Sequence, residues 1–302
     1  MAIQNVTIVG ADGKLGPYVL KALVSSGKFN ITVLKRRSST SKSNYPSPVQ
    51  TTHVSDDFPI DELVRTLKGQ DAVIVTVKGS LADLQKRIAG AAAQAGVQQF
   101  IPADFGSCDS QEKLVCELVP LFQRKADVRE YLQHLASCHA HFSWTSLVCG
   151  HFFDAEDLGF LHLDPNTRKA DILDDGETRC SASTLDQVGT AVVKILEKSG
   201  AEEIKNKVIY IQSFCASQMQ IVEAFERATG QPWKINRIDS GDFIQQEKAK
   251  ADASGDVGSE ALVWVLGTLY ANWEKKDGFA NKFLGLNEED LDKVIAGFMP
   301  SV

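Results

Sequence analysis

The first half of the chain alternates short apolar runs with stretches in which apolar residues recur every three or four positions. Residues 5–10 (NVTIVG) read as a buried strand, followed by a helix over 14–26. Strands are predicted at 30–35 (NITVLK), 51–55 (TTHVS), 71–77 (DAVIVTV), 98–106 (QQFIPADFG) and 141–148 (HFSWTSLV). Helices are predicted at 60–67 and 81–95, with a long helical stretch before the sixth strand. Apolar strands separated by helices are the sequence signature of a parallel sheet covered on both faces. The predicted fold is therefore α/β: a Rossmann-type, doubly wound parallel sheet with a smaller C-terminal α/β substrate lobe.

Past Gly150 the pattern loosens. Residues 164–180 are turn-rich, 185–198 and 216–229 read as helices around a strand at 207–212, and 260–272 read as an apolar helix. Residues 241–257 are charged, alanine-rich and interrupted by glycine. No repeat or low-complexity linker separates the halves. The expected division is a dinucleotide-binding domain over 1–155, with 181–214 packing back onto it, and a substrate lobe over 156–180 and 215–302.

The 302 residues are 43% hydrophobic and 24% charged, the balance of a globular protein with a core. A formal charge of −7 argues against general nucleic-acid binding. No apolar run is long enough to cross a bilayer, and the first residues lead straight into a strand, so a cytoplasmic protein is expected. The six cysteines (Cys108, Cys116, Cys138, Cys149, Cys180, Cys215) form no CxxC pair and read as reduced thiols. His139 and His141 lack a third ligand nearby, so no metal site is expected.

Between the first strand and helix stands Gly10-Ala-Asp-Gly13-Lys-Leu-Gly16. Such a turn lets the backbone approach a pyrophosphate while the helix N-terminus offers amide N–H groups. The spacing is GxxGxxG rather than GxGxxG, and a tight turn using glycine for geometry alone is the bland alternative. Pro17 is compatible with the first helical turn, and Asp12 is placed either beside the phosphate or as a helix cap. After the second strand come Lys35, Arg36 and Arg37 with no acid alongside, which suits the 2′-phosphate of NADPH better than the bare ribose of NADH. Asp56 or Asp57 is a candidate for the adenine amine.

For catalysis, none of the five tyrosines has a lysine four residues on, which excludes the standard tyrosine–lysine pair. Pro120 can start a helix that places Lys125 on the same side as Leu121, Val128 and Leu132, with the like charge of Arg129 one turn on. A lysine tuned towards neutrality exchanges protons near pH 7; the same spacing also fits a snorkelling surface lysine. His151 reads as a substrate contact or a hydrogen-bonded structural histidine, and Trp264, Leu266, Tyr270 and Trp273 as core or pocket lining.

Taken together, VGADGKLG, VLKRRSS, DAVIVTV with LADLQKRIAGAAAQAGVQQFIPADFG, the lysine ahead of VREYL, and GHFFD resemble the NmrA-like, isoflavone-reductase-like branch of atypical short-chain dehydrogenases. The similarity runs in order from Ile3 to Phe153, with a weaker echo at 186–189 and a divergent C-terminal lobe; it suggests a fungal-type member. It implies NADPH/NADP+ as cofactor, a monomer or homodimer, and a catalytic lysine where Lys125 falls. By the same similarity Arg36 meets the 2′-phosphate, Phe105 and Phe152 border the nicotinamide, and Gln85 matches a recurrent position. Asp12 stands where threonine is usual, Ala103-Asp104 replaces serine–glutamate, and Lys78 replaces a small residue.

The expected cofactor-binding set is Gly10, Asp12, Gly13, Lys14, Leu15, Gly16, Lys35, Arg36, Arg37, Asp56, Val77, Lys78, Gln85, Ala103, Phe105, Lys125, Gly150 and Phe152. The expected substrate contacts are Phe105, His151, Phe152 and Phe153. The expected function is NADPH-dependent reduction of a small apolar aromatic or polyketide-like secondary metabolite, with Lys125 as general acid/base. Two alternatives stand beside it: a non-catalytic NADP(H)-binding redox sensor with a protein partner, and a nicotinamide-binding isomerase or cyclase.

Overall fold

In the computed structural model, which describes residues 2–41 and 44–298, the apolar runs of the first half form strands and the periodic stretches form helices. The outermost residues of the two expected domain ranges, 1 and 299–302, lie outside the described residues. Along the chain lie β1 (Asn5–Val9), α1 (Gly16–Ser26), β2 (Asn30–Arg36), β3 (Gln50–Val54), α2 (Ile60–Leu67), β4 (Ala72–Val75), α3 (Ala82–Ala95), β5 (Gln99–Ile101), α4 (Lys113–Leu118), α5 (Pro120–Cys138) and β6 (Ser143–Val148). Then come β7 (His151–Phe152), a 3-10 turn (Ala155–Asp157), β8 (Leu163–Asp164), β9 (Lys169–Leu173), β10 (Arg179–Ser183), α6 (Leu185–Glu197), β11 (Lys207–Tyr210) and β12 (Phe214–Ser217). The rest comprises α7 (Gln218–Thr229), β13 (Lys234–Ile238), α8 (Ser240–Ser254), α9 (Glu260–Tyr270), α10 (Asn281–Leu284) and α11 (Leu291–Phe298).

The main sheet has the order β11-β6-β5-β4-β1-β2-β3 and is parallel throughout. β1 lies at its centre, with Val6 opposite Ile31 of β2 and Ala72 of β4. Both faces are covered, so strand residues of either parity are apolar: Ile8 packs towards α1 and α6, and Val9 towards α2, α3 and α5. The strand order reverses between β1 and β4, and ligands bind outside the strand carboxyl ends at such a switch point.

The lobe has two three-stranded sheets, β12-β10-β7 and β13-β9-β8, closed by α7, α8, α9 and α11. Its core holds Phe153, Phe214, Phe225 and Trp264, all buried. Burying an indole of Trp264's size contributes about 4–6 kcal/mol of apolar transfer before ordering entropy is subtracted. The turn-rich segment 164–180 contains β9 and the start of β10, which its composition hides. β9 is the middle strand, paired in parallel with β13, Lys169 opposite Lys234; it buries Ala170, Ile172 and Leu173, whereas β13, at the sheet edge, is exposed along most of its length. The glycine-interrupted charged stretch is helix α8, capped by Asp239, and the helix predicted from 216 begins instead at Gln218 behind a Ser217–Gln220 capping box.

Candidate active site

The chain turns sharply between β1 and α1. Gly10 has φ +92°, and a Cβ there would lie 2.9 Å from the backbone of Thr76 and Val77 beyond β4. A Cβ on Gly16 would come within 2.3 Å of the Gly10 carbonyl oxygen, so the two ends of the turn meet where only glycine fits. Pro17 lies in the first turn of α1, and no side chain caps the helix at Leu15. Asp12 is thus not a cap. Pro17 has no N–H, and the Tyr18 and Val19 amides already donate to the Leu15 carbonyl at 3.1 and 3.2 Å, so among the described residues the Gly16 amide is the first helical N–H left for an anion. In front of them lies a cleft of about 280 Å³ lined by Gly10, Gly13, Arg36 and Val77, among others. A cleft walled by the glycine turn, with the Arg36 guanidinium in its lining, fits a dinucleotide phosphate.

The three cations after β2 have different fates. Lys35 Nζ lies 2.9 Å from Asp12 Oδ2 and donates to the Ser41 carbonyl at 3.1 Å. Arg37 donates to Glu62 Oε1 at 2.6 Å and lies outside the cleft lining. Arg36 lines the cleft, and among the described residues no hydrogen bond or ion pair claims its guanidinium. Hydrogen bonds from the Ser38 side chain and from its amide, the latter at 2.9 Å, hold the Asp56 carboxyl below the usual range, and Asp56 too lies outside the lining. Lys78 is exposed and outside the lining as well.

Past the carboxyl ends of β5 and β6 lies a second cavity of about 260 Å³, with Lys125 in its wall. Phe105, Phe122, Phe152 and Phe160 supply four phenyl rings, and Lys14, Ser107, Asp157 and Glu260 supply polar atoms. Phe105 has φ +35°, a conformation that bulky residues rarely adopt, in the loop that turns back onto Val148. Lys14 reaches out of the glycine turn to pair with the buried Asp157 of the lobe, and its ammonium sits 5.9 Å from the Phe152 ring centroid. Gly13 lines the first cleft and its neighbour Lys14 the second.

Lys125 is only 8% exposed, which overturns the snorkelling alternative. Pro120 starts α5 as its first residue, and from there the helical register turns Lys125, Val128, Arg129 and Leu132 inward. The stem of Lys125 passes Gly79, where a Cβ would lie 2.8 Å from Lys125 Cε. Nζ donates to the Asp104 carbonyl, lies 3.8 Å from Asp104 Oδ1, and stands 5.3 Å from the Phe122 ring centroid. Burial pushes its pKa below the ordinary lysine value; Asp104 opposes the shift and Arg129 adds to it. Cys108 and Cys149 beside it are pushed up to about 12 by burial, so both stay neutral thiols.

Arg129, expected only as a like charge, is itself bound. Its Nε donates to Asp104 Oδ2 at 2.6 Å and its Nη1 to Asp109 Oδ1 at 3.2 Å. Gln85 is buried; it accepts from the Ala103 amide at 2.8 Å and donates to the Gly79 carbonyl at 3.4 Å, tying together two loops that flank Lys125. Gly150 has φ +71° at the sharp bend from β6 into β7.

The aromatic and histidine contacts divide as well. Phe152 is half-buried in the cavity wall. Phe153 is fully buried, edge-to-face with Phe214 at 5.0 Å and tilted against Phe298 at 5.6 Å; it is a core side chain and not a substrate contact. Strand alternation is the reason, since adjacent residues point to opposite sides. His151 lines the cavity but is 3% exposed, its Nε2 3.1 Å from the Trp264 carbonyl. Burial pushes its pKa down to about 4, so the imidazole is neutral at pH 7. Asp109, Asp157, Phe160, Glu260 and Lys276 were invisible in the sequence as site residues. The one available signal was Arg129 four residues after Lys125, since two inward cations require buried acids.

The NmrA-like family model matches residues 3–252. The chain is 32% identical to oxidoreductase aprR of Aspergillus flavus, over 98% of each chain. Its structure is similar to that of AtPrR2 with NADP+ and (+)pinoresinol, with a TM-score of 0.77 at 20% identity over 99% of both chains. It is similar also to the binary complex of leucoanthocyanidin reductase with NADPH from Vitis vinifera, with a TM-score of 0.78 at 15% identity over 97% of this chain and 99% of that one. Among the described residues no helix is long and apolar enough to cross a membrane, and no cluster of three or more His, Cys, Asp or Glu is placed to hold a metal ion.

Proposed function

The chain belongs to the NmrA-like family, and from that premise we propose that it is an NADPH-dependent reductase of the atypical short-chain kind, with Lys125 as its general acid/base. The observation that carries this reading is a buried amine, its proton loosened by burial, in the wall of a cavity lined by four phenylalanines. Such a wall suits a flat, apolar, aromatic or polyketide-like molecule.

The backbone of the Gly10–Gly13 turn and the Gly16 amide would hold the pyrophosphate, and Arg36 the 2′-phosphate. When bound, the nicotinamide supplies hydride. Phe105 and Phe152 flank the reacting centre and exclude water from it. Lys125 Nζ delivers the proton that balances the hydride, onto an oxygen or carbon of the substrate, and recovers it through solvent at the cavity mouth. Asp104 and Gly79 hold the amine in place. His151, neutral and bonded to the Trp264 carbonyl, serves as wall rather than acid.

A redox-sensor role needs no positioned amine, and the buried Lys125 favours the enzyme. The test is NADPH oxidation across a panel of quinones, enones and aryl ethers, with fluorescence titration of NADPH alone as the binding control. Tight NADPH binding with no turnover of any of them would sink the reductase reading in favour of the sensor.

A further inference from the structure

Behind Lys125 lies a chain of buried charges that crosses from the sheet to the C-terminal segment. Asp104 meets Lys125 on one side and Arg129 on the other. Arg129 reaches Asp109, which is 2% exposed. Asp109 Oδ2 accepts from Tyr210 Oη at 2.8 Å and lies 2.6 Å from Lys276 Nζ. Lys276 follows α9 in the chain, is a quarter exposed, and also pairs with Glu112 at 2.8 Å. Ser146 completes the shell with a hydrogen bond to Asp104 Oδ2.

The charges in this chain are nearly matched without Lys125. Asp104 and Asp109 face Arg129 and Lys276, and the exposed Glu112 shares Lys276, so a protonated Lys125 is the third cation against two buried carboxylates and one exposed one. We propose that Lys276 and Asp109 are positioning residues that set the proton affinity of Lys125 through Arg129 and Asp104. Removing Lys276 leaves the acids in excess, and Lys125 then keeps its proton more firmly. Removing the charge of Asp109 leaves the cations in excess, and Lys125 sheds its proton more easily.

Other groups face Lys125 but do not offset this arithmetic. Cys108 and Cys149 are neutral, His151 is neutral, and Lys14 and Asp157 cancel each other across the cavity. Glu260 stands in the cavity wall on α9, unaltered by either substitution. Asp109 itself stays ionised: burial alone would raise it, but hydrogen bonds from Lys276, the Gln111 amide and Tyr210 outweigh that and hold it below the usual carboxylate range.

The inference rests on the reading of Lys125 as the proton donor only for its consequence in turnover; the coupling itself is measurable without substrate. The full chain is labelled with ¹³Cε-lysine, and the Lys125 resonance, identified by its loss in Lys125→Met, is titrated from neutral to alkaline pH. Lys276→Met is expected to raise the Lys125 midpoint by about half a pH unit and Asp109→Asn to lower it by a similar amount. The double variant should return near the parent, and Lys276→Arg should leave the midpoint in place. Opposite shifts that cancel cannot come from generic damage. Unmoved midpoints, or shifts in one direction for both, overturn the proposal. Should Asp109→Asn fail to fold, the part-exposed Lys276→Met decides alone: no upward shift, no coupling. If the resonance shifts as expected while the pH profile of NADPH-dependent turnover stays put, the coupling stands and the catalytic reading of Lys125 falls.

Discussion

Lys35 and Asp12 form an ion pair of 2.9 Å between the end of β2 and the glycine turn. Tyr45 strengthens it, donating to Asp12 Oδ1 at 2.6 Å while its ring lies 5.4 Å from the lysine ammonium. The turn therefore neutralises one of the three cations that the sequence offers a 2′-phosphate, and Glu62 neutralises another. Arg36, in the lining of the cleft, keeps its guanidinium unclaimed among the described residues.

Arg36→Glu should weaken NADPH binding by about tenfold or more and spare or improve NADH, because one charge-assisted contact to phosphate contributes roughly 1.5–3 kcal/mol. Fluorescence titrations of both cofactors at low salt measure this. A variant that still prefers NADPH would mean that another cation holds the phosphate.

Asp12→Thr should act in the opposite sense. It releases Lys35 into the cleft and removes a carboxylate from beside the phosphates. Any gain from the lost carboxylate is common to both cofactors, but the preference for NADPH over NADH is expected to rise about threefold, the value of a partly exposed charge contact. An unchanged ratio of the two dissociation constants would show that Lys35 never reaches the phosphate.

Lys125→Met should separate chemistry from binding. Turnover falls about 10²–10⁴-fold, the usual contribution of a positioned acid or base. NADPH affinity and the urea midpoint hold, since methionine keeps the stem against Gly79 and the dinucleotide is gripped elsewhere. Full turnover in the variant would make the lysine structural.

His151 predicts a pH dependence of stability. Its folded pKa is about 4 against an ordinary 6.5, so below 6.5 the unfolded chain binds the proton that the folded chain refuses. The contribution is complete above pH 6.5 and is lost progressively as pH falls towards 4, by about 2 kcal/mol at pH 5. Urea unfolding at pH 7 and pH 5 should give a smaller difference in His151→Asn than in the parent. Equal differences would place the acid sensitivity in other groups.

The sequence by itself determined the parallel sheet, the glycine turn after the first strand and the run of cations after the second, because each is written in neighbouring residues. Short apolar runs rich in valine and isoleucine, set between helical patterns, read as strands covered on both faces, and glycines at the strand–helix junction mark a turn that side chains cannot enter. It also put Lys125 on the helix side of Val128 and Leu132, but left open whether the lysine is buried there or snorkels to the surface. The meaning of that position waited on tertiary structure. Burial against Gly79 and Asp104 comes from two loops distant in the chain, with Phe122 of the same helix beside them, and only their convergence loosens the proton. Folding likewise sorted Phe152 into the cavity and Phe153 into the lobe core, and brought Asp157, Phe160 and Glu260 to face the sheet. Those contacts span long sequence separations and involve residues of ordinary local pattern. Periodicity reports which way a residue faces along its own element; what it faces depends on the packing of elements distant in the chain.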